Sequence, residues 1–234
     1  MKKLALIWCL SAPEDEPLKT EIIDSFGSEN NWDVLSPDDD VFLSKAVGYD
    51  GYVISGSPRS VVDDAETQFV KNVLTLIREV RDTSASPIVG ICFGAQSLAT
   101  ALGGKVGRNP GGVFKLGVDS LTWTGPAQRW AETSKFAVLV QSHGECVLEL
   151  PPDSVHLASS ATISHEIFLT HGRFLGVQGH PEADNALLRH FMTYHRSHFD
   201  ADAWQAIERE ADQPLSREPV IALGRRLIGE GTLL

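Results

Sequence analysis

A thiol and an imidazole stand at two points in this chain where their neighbours could set up covalent chemistry. Cys92 lies two residues after Gly90 and two before Gly94, between a short apolar run (residues 88–91) and a helical stretch (residues 95–102) closed by Gly103-Gly104. A strand that turns sharply into a helix crowds its own backbone, and glycine on either side relieves that crowding. Such a turn presents the side chain outward and sets the sulfur at a helix N-terminus, where the positive end of the dipole favours thiolate, the nucleophilic form. The serine counterpart is the G-x-S-x-G nucleophile elbow. His180 follows a second apolar run (residues 174–178), Pro181 forces the chain to turn, and Glu182 comes two residues later, able to hold the imidazole in one tautomer. Nucleophile, base and orienting carboxylate are the parts of a triad in another chain order. An isolated cysteine is more often a small buried hydrophobe, so the argument rests on the two motifs occurring together.

These residues need elements to position them. Residues 4–10 read as a strand, 17–26 as a helix, 32–35 and 52–55 as strands. Residues 65–81 read as a helix, because Phe69, Val73, Leu76, Ile77 and Val80 recur at three and four. Buried strands alternating with helices imply a parallel sheet covered on both faces. Function in such a sheet gathers at the carboxyl ends of its strands, and Cys92 and His180 both lie at strand ends. After Gly112 the pattern changes to strands over 113–123, 137–141, 155–159, 166–170 and 174–178, with Cys146 starting another and His171-Gly172-Arg173 forming a tight turn. Residues 183–195 return to a helix. From Ser197 onward there are two more helical patterns, broken at Pro214 and Pro219. Neither an internal repeat nor a low-complexity segment is visible.

The chain has 234 residues, 42% hydrophobic and 22% charged, enough to bury a core without staples. Its net charge of −11 argues against binding nucleic acid or an anionic membrane. Three cysteines make no disulfide framework and suit a reducing compartment, so a cytoplasmic location is expected. The N-terminus imitates a signal peptide, but its apolar run is short and Trp8 precedes Cys9 where a small residue would be needed; a first buried strand accounts for the same residues. No apolar run is long enough to span a bilayer.

Four segments together resemble the class I glutamine amidotransferases: GICFGAQ (residues 90–96, with Cys92), GVQGHPE (residues 176–182, with His180 and Glu182), SGSP (residues 55–58) and QSHGE (residues 141–145). They occur in that family's order and cover about residues 1–196, leaving 197–234 as a C-terminal helical extension. The resemblance implies an α/β fold, flavodoxin-like, with a mixed, mostly parallel central sheet flanked by helices and a nucleophile elbow. It also implies backbone donors from Gly56 and Phe93 in an oxyanion hole, and Gln96, Ser142 and His143 holding a glutamyl group. The implied reaction is hydrolysis of a γ-glutamyl amide through a thioester on Cys92, with no cofactor or metal. The substrate would be glutamine or a γ-glutamyl compound, and the partner, where there is one, a separate synthetase subunit.

Three positions depart from the family pattern. Gly179 stands where many members carry an aromatic residue, Ala95 where a larger one is common, and Glu145 replaces Asp. The first two suggest a roomier site than glutamine needs, and Gly before His-Pro-Glu also resembles the stand-alone γ-glutamyl peptidase-like branch. A glutaminase subunit, a free-standing γ-glutamyl peptidase and a non-catalytic family member are thus the alternatives. The related redox-chaperone fold also has an elbow cysteine, but GVQGHPE has no reason to exist there. GVDS (residues 117–120) resembles part of a pyrophosphate loop, but it runs on as a strand rather than a helix, and no Walker A motif occurs. No histidine pairs with a cysteine at zinc spacing. His195 and His198 sit near a helix end without a further ligand, and Phe191, Tyr194 and Phe199 read as packing.

Overall fold

A computed structural model describes residues 1–12, 15–129 and 136–233. The sheet has nine strands. In chain order they are β1 (Lys3–Ile7), β2 (Asn31–Leu35), β3 (Gly51–Ile54), β4 (Ile88–Ile91), β6 (Lys115–Trp123), β7 (Phe136–His143), β9 (Ser154–Ser159), β10 (Ile167–Thr170) and β11 (Phe174–Val177). Two further strands, β5 (Lys105–Arg108) and β8 (Glu145–Glu149), pair in a separate ribbon. Across the sheet the order is β2-β1-β3-β4-β11-β10-β9-β6-β7. The pairings from β2 through to β11 are parallel and those from β11 onward antiparallel. The sheet is therefore mixed, as the resemblance implies, though its pairings among the described residues are four parallel and four antiparallel rather than mostly parallel.

β1 is buried on both faces, and its alternation shows why. Leu4 and Leu6 join one apolar cluster with α1 (Glu16–Phe26) and α7 (Glu218–Glu230). Ala5 and Ile7 join another on the opposite face with α3 (Gln68–Thr83) and α4 (Phe93–Ala101). The short α2 (Phe42–Lys45) adds Phe42 to the second layer. A third cluster lies between β6, β7, α5 (Asn185–His195) and α6 (Ala201–Glu210).

Element ends differ from the sequence reading for identifiable reasons. α3 starts at Gln68, not 65, because the Thr67 side chain caps it through the Val70 N–H. α5 starts at Asn185 because Asp184 accepts from the Leu187 N–H at 2.8 Å. Pro219 does not break the tail; it occupies the first turn of α7, where its missing N–H costs nothing, while Pro214 lies in the connection before it. The turn between β10 and β11 puts His171 and Gly172 at φ 50° and 67°, the conformation whose twist suits a tight hairpin. Among the described residues no helix is long and apolar enough to cross a membrane.

Strand β4 meets α4 in very little space. A Cβ on Gly90 would stand 2.5 Å from the Gly94 carbonyl, and one on Gly94 would stand 2.4 Å from the Ile54 oxygen on β3. Both contacts are with backbone, so no side chain can move aside. Gly94→Ala is expected to cost about 3 kcal/mol or more by overpacking. Gly125→Ala, which meets open space, is expected to stay within about 0.5 kcal/mol. Denaturant midpoints of the two variants give the comparison, and similar values would contradict the packing account.

Candidate active site

Cys92 caps α4 with φ 49° and ψ −104°, a conformation that L side chains rarely adopt. Such strain costs of order 1–3 kcal/mol and is found where the surrounding structure enforces it. Here the enforcement is visible: the Cys92 N–H donates to the Val177 carbonyl on β11 at 2.8 Å, and the Cys92 carbonyl accepts from the Gln96 N–H at 3.0 Å. The side chain is 6% exposed. Its sulfur lies 3.8 Å from both the Ser142 carbonyl and the Gln178 amide nitrogen.

β11 delivers the second group. The His180 N–H donates to the Val140 carbonyl on β7 at 2.9 Å, and the His180 carbonyl accepts from Ala183 at 3.2 Å, so the turn through Pro181 is held at both ends. The imidazole is buried, and its Nδ1 bonds the Glu182 carboxylate at 2.9 Å. The Phe191 ring of α5 stands 5.1 Å from it. A Cβ on Gly56 would come 3.1 Å from His180 Cε1 and 3.7 Å from Cys92 Cβ, so the glycine loop after β3 lies against thiol and imidazole together. Among the described residues Nε2 has no hydrogen-bond partner within ordinary distance, although the Cys92 thiol lies near enough to act on the ring.

Burial alone drives the His180 pKa down. The Glu182 carboxylate beside it, and the nearby Cys92 thiol, more than offset this and lift it to about 10. The other two thiols are unlike Cys92 in setting. Burial pushes Cys9 strongly up, and Cys146 up to about 11.

The remaining predicted residues surround this centre. Phe93 is the first residue of α4, so its N–H has no acceptor within the helix. The Gln96 amide donates to the Glu145 carbonyl at 2.9 Å and reaches Gln178 at 3.5 Å. Ser142 turns its carbonyl to the sulfur. His143 is buried behind it, with Nδ1 facing the oxygens of Asn109 (3.0 Å) and Glu145 (2.9 Å) and Nε2 facing the Gln141 side-chain oxygen at 3.2 Å. Burial, then Lys115 and His180, push its pKa down to about 3, leaving the ring neutral. The Glu145 carboxylate accepts from Ser60 at 2.9 Å and pairs with Arg108 at 3.0 Å, tying the glycine loop to QSHGE.

The structure corrects the expectation of a roomier site. Ala95 is fully buried in the helix-layer core. The space beside Gly179 is already filled: a Cβ there would stand 2.8 Å from the Gln141 amide nitrogen and 3.1 Å from the Val140 carbonyl. Gly179 is small because β7 needs the room. Sequence reasoning also missed Gln178, Gln141, Glu166 and Arg217. Gln178 and Gln141 lay inside quoted motifs; the other two have no local signal. Fully buried Glu166 accepts from Lys115 at 3.0 Å and Gln141 at 3.3 Å, and its carbonyl takes the Gln178 N–H at 2.7 Å. Among the described residues no group of three or more His, Cys, Asp and Glu could hold a metal ion.

Fold and site define an α/β protein with a cysteine at a strand–helix elbow, beside a histidine–carboxylate pair. A crystal structure of a glutamine amidotransferase from Thermotoga maritima shares that fold, with a TM-score of 0.73 over 97% of this chain and 96% of the other at 20% identity. The family model for glutamine amidotransferase class-I matches residues 19–196, and the chain belongs to that family. Gamma-glutamyl peptidase 3 of Arabidopsis thaliana is 33% identical over 178 residues, 71% of this chain and 69% of its own. A GMP synthase [glutamine-hydrolyzing] of Aliivibrio fischeri is 29% identical over 153 residues, which span 65% of this chain and only 27% of that protein.

Two outcomes follow from this geometry. Gly179→Ala is expected to cost about 1–3 kcal/mol, and Gln141→Ala to give part of it back, a coupling that a double-mutant cycle measures; additive costs would contradict it. Because His180 is raised from 6.5 to about 10, its contribution to folding is complete below pH 6.5 and lost as pH climbs through 10. In Glu182→Gln the carboxylate's contribution is lost while burial stays, so the imidazole should titrate lower than in the parent by NMR, and part of that loss on raising the pH should vanish.

Proposed function

We propose that this chain hydrolyses a γ-glutamyl amide bond through a γ-glutamyl thioester on Cys92, with His180 as acid and base and Glu182 as its orienting partner. The observation that carries this is the single centre where the strained elbow thiol, the glycine loop and the Glu182-bound imidazole meet. In the first half-reaction His180, its pKa lifted to about 10, already holds the proton on Nε2, and the Cys92 sulfur attacks as thiolate, bonding to the γ-carbonyl carbon as the carbonyl π pair moves to oxygen. Backbone N–H groups of Gly56 and Phe93 receive the negative charge that develops on the carbonyl oxygen. As the C–N bond breaks, the departing nitrogen takes the proton from Nε2. Water, deprotonated by His180, then attacks the thioester, releasing the glutamyl acid and restoring the thiolate.

Gln96 and His143 both converge on the Glu145 carbonyl and so stiffen residues 142–145. We assign the glutamyl group to that wall, with Ser142 nearest the sulfur. The leaving group separates two versions of the reaction. Ammonia would make the chain a glutaminase serving a synthetase, as the likeness to GMP synthase suggests. An amino acid or peptide would make it a peptidase. The likeness to Gamma-glutamyl peptidase 3 favours the second version, whereas Gly179 and Ala95 give it no support.

The test compares glutamine with a panel of small γ-glutamyl peptides on the isolated chain, alongside labelling by a diazo-ketone glutamine analogue. The expected result is turnover of at least one substrate, an adduct on Cys92, near-complete loss in Cys92→Ala and in His180→Ala, and a smaller loss in Glu182→Gln. Peptides left inert while a partner protein switches on glutamine hydrolysis would select the glutaminase. Adducts on Cys9 or Cys146 with Cys92 untouched would overturn the assignment.

A further inference from the structure

We propose that Arg217 is a positioning residue for the His180–Glu182 turn, so that the C-terminal extension completes the active site. This rests on the functional reading above.

The Glu182 carboxylate is fully buried, and among the described residues its one hydrogen bond is to His180, with Oε2 left unpartnered. A carboxylate held by a single contact takes its position from its own backbone. That backbone is gripped from the tail. The Arg217 guanidinium donates through Nη1 to the Glu182 carbonyl at 2.7 Å and to the Pro181 carbonyl at 3.3 Å. Hydrogen bonds from a charged donor are the stronger kind.

The grip is itself anchored in register with the site. Ser216, next to Arg217, exchanges both backbone hydrogen bonds with Val138 on β7, at 3.1 and 3.0 Å. Two residues further along the same strand, Val140 holds His180. Asn185, at the start of α5, donates to the carbonyls of Ala211 (2.7 Å) and Gln213 (3.0 Å), pulling the segment before Arg217 onto the turn. Beyond Arg217, α7 is locked into the main core, where a Cβ on Gly224 would stand 2.5 Å from the Phe26 ring. Arg217 is thus fixed on both sides and presents its charge to the two carbonyls that carry the orienting carboxylate.

Losing it should let Glu182 drift from Nδ1 without unfolding the chain. For Arg217→Ala we expect kcat to fall about 100-fold, the penalty of a roughly 1 Å misplacement, with KM little changed. The His180 imidazole, whose immediate charged or titratable neighbours are Glu182, Cys92 and His143, should titrate lower by NMR as its carboxylate moves away. Arg217→Lys should recover part of the kcat. Added guanidinium, at concentrations far below those that denature, should restore part of the activity of Arg217→Ala and none of that of Cys92→Ala. Unchanged kcat and an unchanged imidazole titration in Arg217→Ala would overturn the proposal. So would an activity loss that follows the loss of fold, with no guanidinium rescue. If the parent protein turns over no γ-glutamyl amide at all, the functional reading fails, and the imidazole titration alone decides the role of Arg217.

Discussion

Strands β4 and β11 lie parallel and adjacent, Gly90 opposite Gly176 and Ile91 opposite Val177, although residues 92–173 intervene in the chain. Parallel neighbours end on the same edge of a sheet, so their next residues leave it together. One strand turns into α4 through Cys92; the other runs on through Gln178 and Gly179 to His180. The ladder even continues one step into the elbow, through the Cys92 N–H and the Val177 carbonyl. A slip of one residue in this pairing would turn each side chain to the other face and part the thiol from the imidazole. Small residues guard the register. At Gly176 a Cβ would fall 2.2 Å from the Phe168 ring, so β11 can lie only where glycine faces that ring.

Burying a histidine and a carboxylate side by side is costly unless each satisfies the other. His180 and Glu182 do so through one 2.9 Å bond, and among the described residues Oε2 of Glu182 and Nε2 of His180 have no hydrogen-bond partner. His143 is the useful contrast. It is equally buried, but Asn109, Glu145 and Gln141 meet its ring nitrogens, and its pKa is driven down rather than up. Two buried imidazoles in neighbouring positions are thus shifted in opposite directions: the Glu182 carboxylate outweighs burial at His180, while burial, Lys115 and His180 prevail at His143. One is arranged to carry a proton, the other to stay neutral and brace the wall behind the sulfur.

How much of this was legible beforehand depended on whether the signal was local. The elbow was legible because crowding at a strand–helix turn demands glycine within two residues of the thiol. The sheet was legible because strands buried on both faces read as short apolar runs. β5 carried no such signal: in Lys105–Arg108 only Val106 is apolar, and it pairs with β8 at the rim. Gly179 misled for a physical reason. A small residue beside a base can leave space for a ligand or for the protein, and only the position of Gln141 and Val140 decides which. Glu166 and Arg217 act across sequence separations that no periodicity records.

β7 ends the sheet, and an unpaired edge strand invites association with other chains. Here Val140 accepts from His180 and Val138 exchanges two hydrogen bonds with Ser216. The outer edge of β7 is thereby occupied by the histidine turn and by the tail, and each needs the other's neighbour in place. Edge protection and the positioning of the His180 imidazole are therefore one arrangement. A chain stopping at the family-matched boundary, residue 196, would keep the motifs that announce the chemistry. It would lose one of the two segments closing that edge, the cation on the Glu182 carbonyl, and the α7 layer over β1, β4 and β11.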